Sequence, residues 1–200
     1  MLTREANAIS FWAMAVRSRL TTAKVVDAAL ELIDEQGVEG LTLASVAART
    51  GVATPSLYKH VASQADLNRR IAALALVEVG DALRDAMQGR AGRDALAAAA
   101  HTLRSYVVEH PGRYSATLPL NPQGPDDPIA IGGARVLESL AAVLAGYDID
   151  PDDTVHAMRL LRSLFHGFAT IEAAGGFEMD TDVDKSFEWL IDFIDRGLKN

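Results

Sequence analysis

The stretch from Thr42 to His60 constrains this chain more than any other part of it. Thr42 is placed to cap a short helix through Val46, Ala47 and Ala48, and Gly51 ends that helix. A threonine hydroxyl accepts a hydrogen bond from an otherwise orphaned N–H of the first turn, and glycine takes the left-handed exit that a Cβ resists. Three residues on, Thr54-Pro55 opens a second helix that lasts only to about His60, with threonine as its cap and proline at its first helical position. So short a helix does not persist alone in water, so it must pack on its neighbour. Ala47 is small where the two would cross, and Val52 and Leu57 are apolar where the second must be anchored. This is the pattern of a helix-turn-helix. Its free face carries Thr54, Ser56, Lys59 and His60, polar residues short enough to reach into a DNA major groove.

The flanking segments read as further helices. Thr21 or Thr22 caps a helix with Val26, Ala29, Leu30 and Ile33 at i, i+3, i+4, i+7 spacing, and Gly37 supplies its exit. Ser63 with Asp66 forms a carboxylate version of the capping box and opens a long fourth helix to roughly Met87. Residues 92–109 are helical and stopped by His110-Pro111-Gly112. Leu118 to Pro128, with Pro119, Pro122, Pro125 and Pro128, is a loop. Ile129–Ala145 is helical. The acidic Asp150-Pro151-Asp152-Asp153 suits a helix start and begins a helix to about Ala174, closed by Gly175-Gly176; Asp182 or Asp184 opens the last helix through Phe187, Leu190, Ile191 and Ile194. Strand alternation and internal repeats are absent. Residues 1–20 have no clean pattern: they are a frayed extension or a short extra helix, and Met14 is a plausible alternative start.

Charge is distributed unevenly. Net charge is −8, yet residues 1–70 hold 8 Lys/Arg against 7 Asp/Glu, while residues 71–200 hold 11 against 20. A weakly basic head on an acidic body remains compatible with DNA binding. With no cysteine, disulfides and thiolate chemistry are excluded. No apolar run approaches the ~20 residues that span a bilayer, so no membrane partner is expected. Ile9 to Val16 resembles a short signal-peptide core, but Arg17 and Arg19 follow it instead of a cleavage site, which favours the cytoplasm. The five histidines form no i, i+4 metal pair, and glycine-rich phosphate loops and a Gly-x-Ser-x-Gly elbow are missing. Neither catalysis nor a metal or cofactor is expected.

The run Leu41-Thr42-Leu43-Ala44-Ser45-Val46-Ala47-Ala48-Arg49-Thr50-Gly51-Val52-Ala53-Thr54-Pro55-Ser56-Leu57-Tyr58-Lys59-His60-Val61 closely resembles the signature of TetR-family (tetracycline-repressor) regulators. Ala28 to Leu32 and Gly37 match that family's first helix, and the likeness spans about residues 22–70. It implies that Thr42 and Tyr58 bind backbone phosphates, that Thr54, Pro55, Ser56 and Lys59 face base edges, and that His60 lies against the backbone. The family often has a lysine at the start of its fourth helix. Here that position is Gln64, and Arg17, Arg19 and Lys24 are the candidates to compensate. Two of these residues have a second reading: Tyr58 as an aromatic packed on the first helix, Lys59 as a solvated charge.

Leu164-Phe165-His166-Gly167-Phe168, with Glu172 to Phe177 and Ser186-Phe187, resembles the family's ligand-domain subtype named for a Trp-His-Gly motif, with Phe165 in place of the tryptophan. The implied fold is all-α: a three-helix DNA-binding head with a helix-turn-helix, and a larger helical domain for ligand binding and dimerisation. The implied domains are an extension over 1–20, a head over 21–67 and a body over 68–200. Phe165, Phe168 and Ile171 fit a buried or interfacial stripe, with Gly167 permitting close helix approach. Met87, His101, Tyr106, Tyr114, Leu118, Met158, Arg162, Phe165 and His166 are the candidate lining of an effector pocket; ordinary helical core is the alternative for each. The expected protein is a homodimeric regulator, a repressor released from a palindromic operator by a small molecule. One alternative is a helical small-molecule-binding or catalytic protein with a vestigial head. Another is a DNA binder that takes no effector.

Overall fold

The computed structural model describes residues 19–119 and 121–199; expectations for residues 1–18, including Met14 and Arg17, lie outside the described residues. Among these there are nine α-helices and no strand. They are α1 (Thr22–Gly40), α2 (Leu43–Thr50), α3 (Thr54–Leu57), α4 (Gln64–Ala86), α5 (Gly92–Glu109), α6 (Pro111–Ala116), α7 (Pro128–Leu144), α8 (Thr154–Ala173) and α9 (Val183–Leu198). No described helix is long and apolar enough to cross a membrane.

Buried side chains form two clusters. One joins α1, α2 and α3 to the first turns of α4, ending at Leu67 and Ile71; the other begins on α4 at Val79 and runs through α5, α7, α8 and α9. Helix α4 is therefore shared: its N-terminal turns complete the small head and its remainder is a wall of the body.

Several helix ends depart from the expected places. Gly37 does take a left-handed φ of 71°, but one more turn follows it, closed by Leu41 N–H donating to the Val38 carbonyl at 3.3 Å. Thr54 is not the cap of α3. Ala53, in extended geometry, holds that position, so Thr54 and Pro55 are both helical, and the first turn has no N–H bonds for proline to break. Regular α-helix stops at Leu57, and single turn bonds carry the chain to Val61. Ser63 Oγ caps α4 by accepting from Asp66 N–H, while the Asp66 carboxylate reaches past the cap to Ala62 N–H at 2.9 Å. His110-Pro111-Gly112 ends α5 as expected, but Pro111 also starts α6, since proline suits a first turn. A 3₁₀ turn over Pro151–Asp153 precedes α8. Asp182, not Asp184, caps α9, accepting from Asp184 and Lys185 N–H. Phe165 is fully buried, but Ile171 is exposed and, among the described residues, nothing lies within 4 Å of where a Gly167 Cβ would sit, so no described helix approaches there.

Candidate nucleic-acid interface and body cavity

The helix-turn-helix is held by three devices. Thr42 and Ser45 make a reciprocal capping box: Ser45 N–H donates to Thr42 Oγ1 at 3.0 Å and Thr42 N–H to Ser45 Oγ at 2.9 Å. Gly51, at φ 69°, turns the chain, and its N–H closes on the carbonyls of Ala47 and Ala48. Leu57 is wholly buried. Burying one leucine is worth about 1.5–3 kcal/mol, and this anchor stabilises a helix of four residues that has little stability of its own.

This packing turns the other side of α3 to solvent. Pro55, Tyr58 and Lys59 are exposed, and Thr54, Ser56 and His60 half-buried. Tyr58 is 57% exposed, which decides against its packing on α1. Lys59 has no ion-pair or hydrogen-bond partner among the described residues. Thr42 is exposed beside this face, though its hydroxyl also serves the capping box. Lys24 lies exposed in the first turn of α1, its Nζ 3.5 Å from the Arg19 carbonyl. Three arginines at or near the head are occupied: Arg49 pairs with Glu31 and Glu35 of α1, Arg70 with Asp66, and Arg69 with Asp127 at the start of α7. The hydrogen bond from Arg49 holds the Glu35 carboxyl below its usual range.

In the body, α4, α5, α6, α7 and α8 line a partly open cavity of about 200 Å³. Leu76, Leu103, Val136 and Phe165 represent its mainly apolar wall, and Tyr114, Thr117 and Arg162 are its polar points. Four of the nine candidate pocket residues converge on it: Tyr114, Leu118, Arg162 and Phe165. His166 stands behind this group, its Nδ1 3.1 Å from the Tyr114 hydroxyl. The other four lie elsewhere. Met87 is core at the end of α4, Met158 packs half-buried against the body core, and His101 meets Glu188 of α9 at 2.7 Å. Tyr106 donates its hydroxyl to Glu78 at 2.8 Å, and burial, reinforced by that carboxylate, pushes its phenol pKa up.

Helix α6 joins the cavity to the head. Tyr114 and Thr117 look into the cavity. From the other side of the helix, Gly112 lies against the Ile33 backbone of α1, and Ala116 packs on the head cluster. Arg113 bonds Asp34 of α1 at 2.6 Å and Glu78 of α4 at 3.3 Å, and His110 Nδ1 lies 3.2 Å from the same Asp34.

A family model of bacterial regulatory proteins of the tetR family matches residues 25–71, and one for a tetracyclin repressor-like C-terminal domain matches residues 96–194. The HTH-type transcriptional regulator Rv0681 of Mycobacterium tuberculosis is 33% identical over 183 residues, 91% of this chain and 83% of that protein. This chain is a TetR-family transcriptional regulator. The fold of the regulator recurs in solved structures. BioQ with its natural double-stranded DNA operator has a TM-score of 0.67 at 20% identity, covering 90% of this chain and 98% of BioQ. A TetR variant of Acinetobacter baumannii in complex with minocycline also has a TM-score of 0.67, at 23% identity, covering 90% of this chain and 96% of that one.

Two positions of the regulator do work that the sequence did not disclose. Gln64, read as a missing phosphate-binding lysine, is instead a clasp. Its Oε1 accepts from Leu43 N–H at 2.8 Å and its Nε2 donates to the Leu41 carbonyl at 3.1 Å, tying α4 to the start of α2. Arg113 gave no periodic or motif signal, because its partners are 79 and 35 residues distant; only the fold brings Asp34 and Glu78 to it.

Proposed function

We propose that this regulator is a homodimeric repressor whose paired heads read a palindromic operator and let go when a small molecule fills the body cavity. Residues 21–67 are the reading head and residues 68–200 the sensing and dimerising body. The observation that carries this reading is α6, a single short helix that offers Tyr114 and Thr117 to the cavity and Gly112 and Arg113 to the head. A ligand that displaces α6 displaces the grip on α1, and with it the head. Release then follows from the ligand's preference for the displaced conformer; a tenfold preference shifts the equilibrium by about 1.4 kcal/mol, and a decisive switch takes several.

At the operator, Thr54, Pro55, Ser56 and Lys59 face base edges, while Thr42, Tyr58, His60 and Lys24 meet the phosphate backbone, the division of labour between specifying and positioning contacts. Dimerisation uses the outer faces of α8 and α9. Trp189 and Phe193, 63% and 55% exposed, stack on one another at 5.5 Å, and Leu160 and Ile171 are exposed on α8. Uncovered aromatics one helical turn apart suit a twofold four-helix interface. The heads would then enter successive major grooves about 34–36 Å apart.

The test is selection of genomic fragments by the purified full chain, followed by footprinting. A protected palindrome with half-sites one helical turn apart is expected. Failure to enrich any such site at low salt overturns the repressor reading.

A further inference from the structure

The cavity has a chemical polarity that narrows what fills it. Among the described residues its wall contains no carboxylate, and Arg162 is its only charged side chain. The body is rich in acid, with 20 Asp/Glu against 11 Lys/Arg over residues 71–200. Its arginines commonly find a carboxylate: Arg84, Arg93, Arg104, Arg113 and Arg135 each have one at 2.6–2.9 Å. Arg162 has none, and no hydrogen-bond partner, among the described residues. It stands on α8 three residues before Phe165, at the edge of an apolar chamber.

Next to it, the Tyr114 hydroxyl is a second donor. Burial pushes the Tyr114 phenol up, and the positive charge of Arg162 works against that push, so the two groups sense one another. His166 Nδ1 lies 3.1 Å behind the hydroxyl. With its proton on Nδ1, His166 donates to Tyr114, whose own hydrogen is then directed at whatever the cavity holds. Guanidinium and phenol together make a site that accepts negative charge, and an ammonium there would meet only repulsion.

Size sets the remainder. An apolar cavity of about 150 Å³ accommodates benzene, so one of about 200 Å³ takes roughly eight to ten non-hydrogen atoms. We infer that the effector is a small amphipathic monocarboxylate, its hydrocarbon body in the chamber and its carboxylate between Arg162 and Tyr114. This rests on the cavity being the effector site of the proposed repressor.

The experiment uses the full chain and three probes of one shape: octanoate, octylamine and 1-octanol. Binding is followed by calorimetry and operator occupancy by fluorescence anisotropy. Octanoate is expected to bind at least tenfold more tightly than either analogue. Arg162→Gln is expected to remove at least tenfold of that affinity, and Tyr114→Phe to weaken it less. Equal binding of the amine or the alcohol overturns the inference, as does binding of octanoate that Arg162→Gln leaves unchanged, or no binding by any probe. Octanoate that binds through Arg162 yet leaves the operator occupied upholds the cavity's preference for a monocarboxylate and overturns release by effector.

Discussion

Gly112→Ala tests the joint between body and head at its tightest point. A Cβ on Gly112 would meet the carbonyl carbon and Cγ1 of Ile33 at 3.0 Å, and the Ile33 carbonyl oxygen closer still. Carbon atoms settle at about 3.5–4.0 Å, so α6 and α1 must part by on the order of 1 Å to admit one methyl. The obstacle is backbone, and no rotamer change relieves it. Overpacking of this kind costs about 1–3 kcal/mol. In a chain of 200 residues each kcal/mol lowers Tm by about 2–4 °C, giving a drop of roughly 2–12 °C. The same parting loosens Arg113 from Asp34, so operator affinity falls in the absence of effector while the cavity still binds its ligand. Ile33→Val in the same chain does not rescue, because it trims a side chain and leaves the carbonyl in place. Calorimetry with anisotropy on operator DNA reads both effects. A variant with unchanged Tm and unchanged affinity would refute the claim that α6 clamps α1.

Three further outcomes are expected. Tyr58→Phe weakens operator binding without altering the selected site, and equal affinities of the two proteins would show the hydroxyl idle. Trp189→Ala with Phe193→Asp shifts the chain to monomer in sedimentation velocity and abolishes tight operator binding, because one head alone lacks the second half-site; a dimer that survives both changes excludes this face. On the acid side, the Asp66 and Asp127 carboxylates are held below their usual range, chiefly by backbone N–H donors at Ala62 for Asp66 and at Gln123 and Ile129 for Asp127. A depressed carboxylate contributes stability above its unfolded pKa of about 3.9 that is lost as pH falls through the folded value. Stability therefore declines below about pH 4, and Asp127→Ala flattens that limb in pH-dependent urea titrations.

Local chemistry made much of the head legible. Thr42, Gly51, Leu57 and Ser63 each act through neighbours within a few residues, and each stands where capping and packing rules put it. What escaped were contacts whose partner is distant in sequence. Gln64 looked like an absence because its bonds reach 21 and 23 residues back, to Leu43 and Leu41. Helix α6 looked like a stop because His110-Pro111-Gly112 breaks one helix and starts another with the same residues. In the body, apolar residues on every helix fit core and cavity equally well. Tyr114, Leu118, Arg162 and Phe165 come together and Met87, His101, Tyr106 and Met158 do not, a division set by helix rotation and crossing, which periodicity alone leaves open.

The same long-range pairing alters what the head's charge means. Arg49, Arg69 and Arg70 are consumed by carboxylates of the protein, so the 8 Lys/Arg of residues 1–70 overstate the cations that DNA phosphates meet. At most, with Lys59 reaching a phosphate as well as Lys24 in each subunit, a dimer neutralises about four phosphates. Counterion release then gives a slope of log K against log salt near −3.6, or about a hundredfold loss of affinity between 50 and 200 mM. Proteins making six to ten such contacts lose about 10³–10⁵ over the same range. Lys59→Ala should flatten the slope by about one per subunit if that lysine meets phosphate, and leave it unchanged while relaxing base preference if it meets a base. A wild-type slope steeper than about −6 would refute the economy of charge argued here. Under that economy, specificity rests on the spacing of two short helices and a few contacts from each.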